Sequence, residues 1–139
     1  MKANFYSLTR QLIALSCLLY SFIASAQDVP FTCDYSAYLF QYNDVYAIDL
    51  ASGNSFLAAK DITTGNINAA AYNPADGYIW GYLSSPAKSI VKIGKNFETT
   101  TITIDALPTG NKYVGDINAD GKYYFKAGGS SYYVIDLDP

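Results

Sequence analysis

Short stretches that alternate between apolar and polar residues follow one another after residue 26, and three of them align. The aligned pairs are Ile48 and Leu50, Val91 and Ile93, and Ile135 and Leu137. Successive pairs lie 43 and 44 residues apart, and a charged residue separates the two apolar positions of each pair. Because side chains alternate between the two faces of a strand, this pattern predicts β-strands with one buried face and one solvated face.

Turn residues repeat at the same period. Ala-Asp-Gly occurs at residues 75–77 and again at 119–121, each time before an aromatic stretch, and Gly-Asn at 65–66 recurs at 110–111. Asp-Gly provides the positive φ that a tight hairpin turn requires. Several landmarks at one spacing indicate an internal repeat of about 44 residues.

One copy of this repeat is complete and predicts four strands, at residues 67–72, 78–82, 89–93 and 99–104. Residues 37–59 match the last three strands of the unit, and residues 112–137 match its first three. Long runs of helix-forming residues are not found after residue 26. The sequence therefore predicts an all-β fold built from antiparallel four-stranded repeats.

A four-stranded repeat of this length is typical of a β-propeller blade. Residues 27–139 are therefore predicted to form a partial β-propeller of about two and a half blades, whereas a closed ring needs about four to eight. Either the chain is a fragment of a longer propeller, or several chains complete the ring together. The stretch at 132–137 is predicted to be an exposed aromatic edge, so the isolated mature chain is expected to aggregate or to form oligomers.

Residues 1–26 have the pattern of a secretory signal peptide. Lys2 and Arg10 precede a short apolar stretch that ends in Ala24-Ser25-Ala26, which predicts export with cleavage after Ala26. The apolar stretch is shorter than the roughly 20 residues of a transmembrane helix, so no transmembrane segment is expected in the mature chain. Lipid attachment at Cys17 is an alternative fate of this segment.

Charge and cysteine content restrict the partners. The net charge of the whole chain is −3, and it becomes −5 without the two basic residues of the predicted signal peptide. The remaining lysines are scattered, so neither nucleic acid nor an anionic membrane is an expected partner. Cys33 is then the single thiol, which excludes an internal disulfide and leaves either a small buried thiol or a bond to a partner chain.

No group of residues in the sequence predicts a catalytic site. The chain contains no histidine, which excludes a Ser-His-Asp triad and disfavours zinc and haem sites. Asp49 and Asp136 occupy equivalent repeat positions, but Lys92 occupies the third such position. A solvated strand face explains this pattern better than a pair of acid–base carboxylates.

One turn resembles the first half of a calcium-binding loop. Asp116, Asn118 and Asp120 supply oxygen atoms at alternate positions, and Gly121 occupies the sixth. The twelfth position is Ala127 rather than the glutamate that usually binds calcium through both oxygens. A plain turn is the favoured interpretation, and calcium remains the one cofactor that the sequence suggests.

Two surfaces are candidates for ligand binding. Aromatic residues alternate along the second strand of the repeat, where they either stack on sugar rings or pack between sheets. The loops at 62–66 and 106–111, and secondarily the loop at 84–88, are the other candidate surface. The predicted ligand-binding residues are Tyr78, Trp80, Tyr82, Lys88, Asn66 and Asn111.

Five segments of the chain carry a resemblance to a known type of domain. They are Cys33-Asp34, Tyr38-Leu39-Phe40 and residues 45–53, 67–81 and 113–118. In these segments the chain resembles the amino-terminal part of an exported, propeller-like domain of unknown function from large bacterial cell-surface proteins. The resemblance covers residues 33–139. It implies a cell-surface location, often upstream of adhesin-like repeats, and it brings no catalytic residue.

The predicted function is that of a secreted or cell-surface, non-catalytic module for binding, adhesion or spacing within a larger protein. Its expected partners are an extracellular glycan or protein, together with self-association through open strand edges. The alternative is a fragment of a propeller enzyme, a lyase or a glycan-degrading enzyme, whose active site lies in blades that this sequence lacks.

Overall fold

The computed structural model describes residues 28–32 and 34–137, which form ten strands and no helix. The strands are β1 (Ser36–Gln41), β2 (Asp44–Asp49), β3 (Ser55–Ala59), β4 (Ile67–Tyr72), β5 (Ile79–Leu83), β6 (Ser89–Ile93), β7 (Thr99–Thr103), β8 (Val114–Ile117), β9 (Lys122–Lys126) and β10 (Tyr133–Asp136). All strand pairs are antiparallel. The all-β prediction is thus confirmed for the described residues.

The strands form three sheets that follow one another along the chain. The first sheet has the order β1-β2-β3, the second β4-β5-β6-β7 and the third β10-β9-β8. Each strand pairs with its neighbour in sequence, because short turns join antiparallel strands directly. Within the described part of the chain, no helix has the length and apolar character needed to cross a membrane.

The strands of the complete repeat lie close to their predicted positions. β4 and β6 match the predicted bounds, β5 begins and ends one residue later, and β7 ends one residue earlier. Residues 37–59 and 112–137 supply three strands each, as predicted. The predicted signal peptide at 1–26, Cys17 and Cys33 lie outside the described residues.

Both repeated turns have a glycine at positive φ and are closed by an asparagine, which lies four residues before Gly77 and three before Gly121. Gly77 has a φ of +79° and Gly121 a φ of +74°. Their N–H groups donate to the carbonyl oxygens of Asn73 (2.8 Å) and Asn118 (3.1 Å). The side-chain oxygen of each asparagine accepts the N–H two residues further on, which closes the turn locally. The predicted need for glycine at both positions is confirmed.

The two central strands of the second sheet are buried on both faces, contrary to the prediction of one solvated face, whereas its edge strand β7 is mostly exposed. Every residue of β5 is buried, and Lys92 is the only residue of β6 that is not. One face packs against the first sheet and the other against the third, so neighbouring sheets exclude water from positions that would otherwise be solvated. The alternation of apolar and polar residues predicts the burial of a single sheet with one side open to solvent. The second sheet has a neighbouring sheet on each side, so both of its faces are covered.

Two hydrophobic clusters fill these interfaces. The 1–2 core, between the first and second sheets, contains Ile67, Ile79, Leu83, Val91 and Ile93, against which Phe31, Tyr38, Phe40, Ile62, Ala70 and Phe97 pack. The 2–3 core, between the second and third sheets, contains Ala69, Trp80, Tyr82, Ile90, Leu107, Ile117, Tyr123 and Phe125. The aromatic residues Trp80 and Tyr82 are therefore core residues, because the third sheet covers the face on which they lie.

The first strands of the second and third sheets approach each other closely. A Cβ at Gly115 of β8 would lie 2.5 Å from the carbonyl oxygen of Ala69 in β4, a contact that only glycine permits. Ala69 has a φ of +52° at a break in the β4–β5 register. The same carbonyl accepts a hydrogen bond of 2.6 Å from the buried Tyr123 hydroxyl. This arrangement fixes the third sheet against the second.

Candidate ligand-binding cleft between the first two sheets

A cleft of about 320 Å³ lies between β1 and β4. The two strands meet where the N–H of Ile67 donates to the carbonyl oxygen of Tyr42, at 2.8 Å. The cleft lies away from this junction and is lined by residues 36–38 and 40 of the first sheet and 70–72 of the second. Because consecutive residues of each strand line it, the cleft runs along strand edges rather than over one face of a sheet.

Two aromatic residues, Phe31 and Tyr38, line one wall of the cleft, and Phe97 packs against both of them. Phe31, Tyr38 and Phe97 pack edge to face, with ring centroids 5.2 to 6.3 Å apart. Burial raises the pKa of Tyr38, and the negative charge of Asp34 raises it further. The Tyr38 hydroxyl is therefore neutral at physiological pH and keeps a proton to donate.

Polar groups border the cleft on the side of β1. The Asp34 carboxylate accepts a hydrogen bond from the N–H of Ser36 at 2.9 Å, which holds it at the start of the strand. The Thr32 hydroxyl accepts one from the Lys95 ammonium at 2.8 Å. Thr32, Asp34 and Ser36 all line the cleft. Together they offer hydroxyl and carboxylate oxygens that can bind a hydroxylated ligand.

Tyr72 provides an exposed aromatic ring at the other side. It ends β4, lines the cleft and is 46% exposed. Its neighbours Ala70 and Ala71 are small and leave open space beside the ring. A cleft that combines apolar residues with a few convergent polar groups has the general form of a small-ligand site.

Residues 28–32, of which Phe31 and Thr32 line the cleft, are attached to the second sheet. The N–H of Phe31 donates to the carbonyl oxygen of Gly77 at 2.8 Å, and the N–H of Lys95 donates to that of Val29 at 2.7 Å. Asp28 forms an ion pair of 3.2 Å with Lys92. The wall that contains Phe31 and Thr32 is thus fixed by backbone hydrogen bonds as well as by charge.

The three aromatic residues predicted to bind ligand lie elsewhere. Trp80 donates its indole N–H to Asp76 at 2.9 Å, and the Tyr82 hydroxyl donates to the carbonyl oxygen of Pro108 at 2.5 Å. Tyr78 is half-buried, with the Lys92 ammonium 3.5 Å from its ring centroid. Trp80 is 5% exposed and Tyr82 1%, so neither ring presents a surface for stacking on a sugar.

The predicted binding loops lie at the opposite end of the second sheet from the cleft. The structure brings the loops at 62–66 and 84–88 together, because the N–H of Asn66 donates to the Ser84 hydroxyl at 2.7 Å. Lys88 donates to the carbonyl oxygen of Asp105 at 2.8 Å. The Asn111 amide lies 3.5 Å from the Tyr113 hydroxyl.

The third predicted loop, at 106–111, is held by a buried lysine. The Lys112 ammonium donates to the carbonyl oxygens of Thr109 (3.1 Å) and Gly110 (2.9 Å). It also lies 5.3 Å from the ring centroid of Tyr82 and 5.6 Å from that of Tyr133. These contacts satisfy the charge and fix the loop against the 2–3 core.

The residues predicted to bind calcium have local hydrogen bonds. The Asn118 side-chain oxygen accepts N–H groups from Asp120 (3.1 Å) and Lys122 (2.9 Å), and one oxygen of Asp116 accepts the N–H of Ile117 (2.9 Å). Among residues 28–32 and 34–137, no group of three or more His, Cys, Asp or Glu side chains is arranged to hold a metal ion. Calcium binding at this turn stays a prediction.

Sequence reasoning missed the residues that line the cleft, among them Thr32, Asp34, Ser36 and Tyr72. They come from two segments that are 36 residues apart, from Ser36 to Tyr72, and no single stretch contains a motif. One signal was present, because Asp34-Tyr35-Ser36 is typical of a turn that places a carboxylate at a strand start. Only the packing of the two sheets shows that Tyr72 faces it.

A comparison with known protein families gives a match over most of the chain. A family profile described as "Repeat of unknown function (DUF6923)" matches residues 37–139. No curated protein matches the chain. The match covers all three sheets, and its description agrees with the prediction of a repeat domain of unknown function.

Proposed function

The chain belongs to the repeat family of unknown function DUF6923, and we propose that it is an exported, non-catalytic, propeller-like module that binds an extracellular glycan. The binding site in this proposal is the cleft between β1 and β4. The observation that carries the proposal is the pairing of the exposed Tyr72 ring with the polar border of Thr32, Asp34 and Ser36 across one cleft.

The proposal of a propeller-like arrangement is supported by the succession of sheets. Three antiparallel meanders follow one another, and the first strands of the second and third sheets, β4 and β8, pack side by side. Blades of a propeller are meanders of this kind, arranged around a common axis. The signal-peptide pattern of residues 1–26 supports the proposal of export.

The chemistry of the cleft favours a sugar ring as ligand. Sugars combine apolar C–H faces, which pack on aromatic rings, with hydroxyl groups that donate and accept hydrogen bonds. Tyr72 supplies the ring, while Asp34 supplies an acceptor and the hydroxyls of Ser36 and Tyr38 supply donors as well as acceptors. The cleft volume of about 320 Å³ falls at the small end of ligand pockets, which suits one sugar residue rather than a long chain.

A glycan array probed with the full chain tests the proposal, followed by titration calorimetry with the best-binding sugar. Tyr72→Ala is expected to weaken binding about tenfold to thirtyfold, because truncation of a central aromatic contact typically costs about 2 kcal/mol. Tyr113→Ala is the matched control, since Tyr113 is also exposed but does not line the cleft.

Binding that is lost in Tyr72→Ala and retained in Tyr113→Ala supports the proposal. No binding to any glycan, or equal affinity of the two variants, would contradict it. Binding to a protein ligand alone would replace the glycan with the other predicted class of partner.

A further inference from the structure

Each sheet of this protein has two faces that can be matched between the repeats. Strand register fixes the match, because Ala47, Ile90 and Val134 lie opposite Tyr38, Tyr82 and Tyr124, respectively. We define face A as Tyr38 and Ala47 in the first sheet, Tyr82 and Ile90 in the second, and Tyr124 and Val134 in the third. Face B is defined as Leu39 and Ile48, Leu83 and Val91, and Phe125 and Ile135 in the same order.

Inside the chain, face A of one sheet packs against face B of the next sheet, and this happens twice. Tyr38, on face A of the first sheet, packs against the cluster that contains Leu83 and Val91. Tyr82, on face A of the second sheet, lies 5.3 Å from Phe125 between ring centroids. The repeat therefore uses one mode of sheet packing, which always joins unlike faces.

One face of each kind remains uncovered in the described part of the chain. Leu39, on face B of the first sheet, is 52% exposed, whereas its equivalent Leu83 is 2% exposed. Val134, on face A of the third sheet, is 47% exposed, whereas its equivalent Ile90 is 1% exposed. The positions that are apolar and buried within the chain are thus apolar and exposed at its two ends.

We infer that two copies of this chain associate head to tail, with face A of the third sheet of one copy packed on face B of the first sheet of the other. The occupant of each exposed face is a second copy, because the chain itself contains the complementary face and already uses that pairing twice. By strand register, Tyr124 and Val134 are equivalent to Tyr82 and Ile90, which lie in the 2–3 core. Leu39 is equivalent to Phe125, which lies on the opposite side of the same core.

This contact differs from association through strand edges. It joins unlike surfaces, so every copy keeps one free face after pairing, and assembly continues until a ring closes or a filament grows. The ligand cleft lies between the first and second sheets and includes neither Leu39 nor Val134. Self-association and glycan binding are therefore separate properties, and either can fail without the other.

Sedimentation velocity of the full chain over a series of concentrations tests the inference. Leu39→Asp removes face B, and Val134→Asp removes face A. Each variant alone is expected to weaken self-association at least about tenfold, since a buried carboxylate opposes the contact. An equimolar mixture of the two is expected to form a one-to-one heterodimer that does not grow, because each variant keeps the face that the other has lost. Thr100→Asp, at an exposed position of the second sheet, is the matched control and should associate like the unmodified chain.

Circular dichroism identifies a variant that fails to fold, and Leu50→Lys and Tyr132→Lys then replace the two substitutions at exposed positions of the same two faces. A heterodimer in the mixture together with weak association of each variant alone supports head-to-tail packing. The inference is overturned if the unmodified chain is monomeric, if one variant associates as strongly as the unmodified chain, or if the mixture of folded variants stays monomeric.

Discussion

The second sheet and the two sheets that flank it have related sequences but very different environments. All residues of β6 in the second sheet except Lys92 are buried, whereas most of the equivalent strand β10 in the third sheet is exposed. The difference arises from position, because two neighbours cover the second sheet and one covers each of the others. Burial in this protein thus depends on which sheets stand beside a repeat, as in other repeat architectures.

A matched pair of tyrosine truncations should show the largest effect of this difference. Tyr82, in the second sheet, is 1% exposed, and Tyr132, beside the third, is 62% exposed. Tyr82→Ala is expected to lower the free energy of unfolding by about 3–5 kcal/mol, because it leaves a cavity in the 2–3 core. Tyr132→Ala should change it by less than about 0.5 kcal/mol. Chemical denaturation measures both, and similar losses for the two variants would contradict the comparison.

The contact between β4 and β8 gives the next largest effect. Gly115→Ala places a Cβ against the carbonyl oxygen and the Cβ of Ala69, so the two strands must separate. We expect a loss of about 1–3 kcal/mol in the free energy of unfolding, as for other overpacked sites. Gly128→Ala is the control, since a Cβ there meets no atom within 4 Å. Thermal unfolding scans of both variants test this, and an unchanged midpoint for Gly115→Ala would show that the strands are not in close contact.

The buried Tyr123 hydroxyl predicts a smaller effect that depends on pH. Burial raises the pKa of Tyr123 far above its ordinary value. The pKa of Tyr123 in the folded protein lies above its unfolded value of about 10. The protonated hydroxyl therefore contributes its full stabilisation of the folded state below about pH 10, and this stabilisation is lost as the pH rises further. Tyr123→Phe should cost about 1 kcal/mol at neutral pH, through loss of the hydrogen bond to Ala69, and should make alkaline unfolding less steep.

Denaturation curves at neutral pH and above pH 10 measure these two changes separately. If the free energy of unfolding falls equally steeply with pH above pH 10 in Tyr123→Phe and in the unmodified chain, the hydroxyl is accessible to water in the folded protein.

The smallest effect concerns an exposed residue of the first sheet. The side-chain hydroxyl of Ser52 and the N–H of Ala51 donate to Asp49 and lower the pKa of its carboxyl group. Because the folded pKa is depressed, the stabilising contribution is present above the unfolded pKa and is lost as the pH falls through the folded value. Ser52→Ala should raise the Asp49 pKa towards the ordinary value, as followed by carboxyl NMR titration. An unchanged pKa would assign the effect to the backbone donor alone.

Much of the fold follows from the sequence because it depends on local chemistry. The spacing of Ile48, Val91 and Ile135 predicts the same strand, the third of the repeat unit, in all three copies, and the Asp-Gly turns predict where β5 and β9 begin. Strand alternation and turn geometry act over a few residues, so they can be recognised without knowledge of the neighbouring sheets.

The cleft could not be predicted in the same way. Its polar border comes from Thr32, Asp34 and Ser36 and its exposed ring from Tyr72, and these are brought together by the packing of two different sheets. The same long-range packing buries Trp80 and Tyr82, whose alternation along a strand is compatible with either a core or a binding surface. The sequence therefore predicts which residues lie on each face of a sheet, but it does not predict whether solvent or a neighbouring sheet covers that face.

Native-state hydrogen exchange at low protein concentration tests most directly whether neighbouring sheets determine burial and stability. The account predicts that amides of β5 and β6 exchange slowest, with protection close to the global free energy of unfolding, and that β3 and β10 exchange fastest through local opening. Equal protection of all three sheets, or slower exchange in β3 or β10 than in β5, would contradict it.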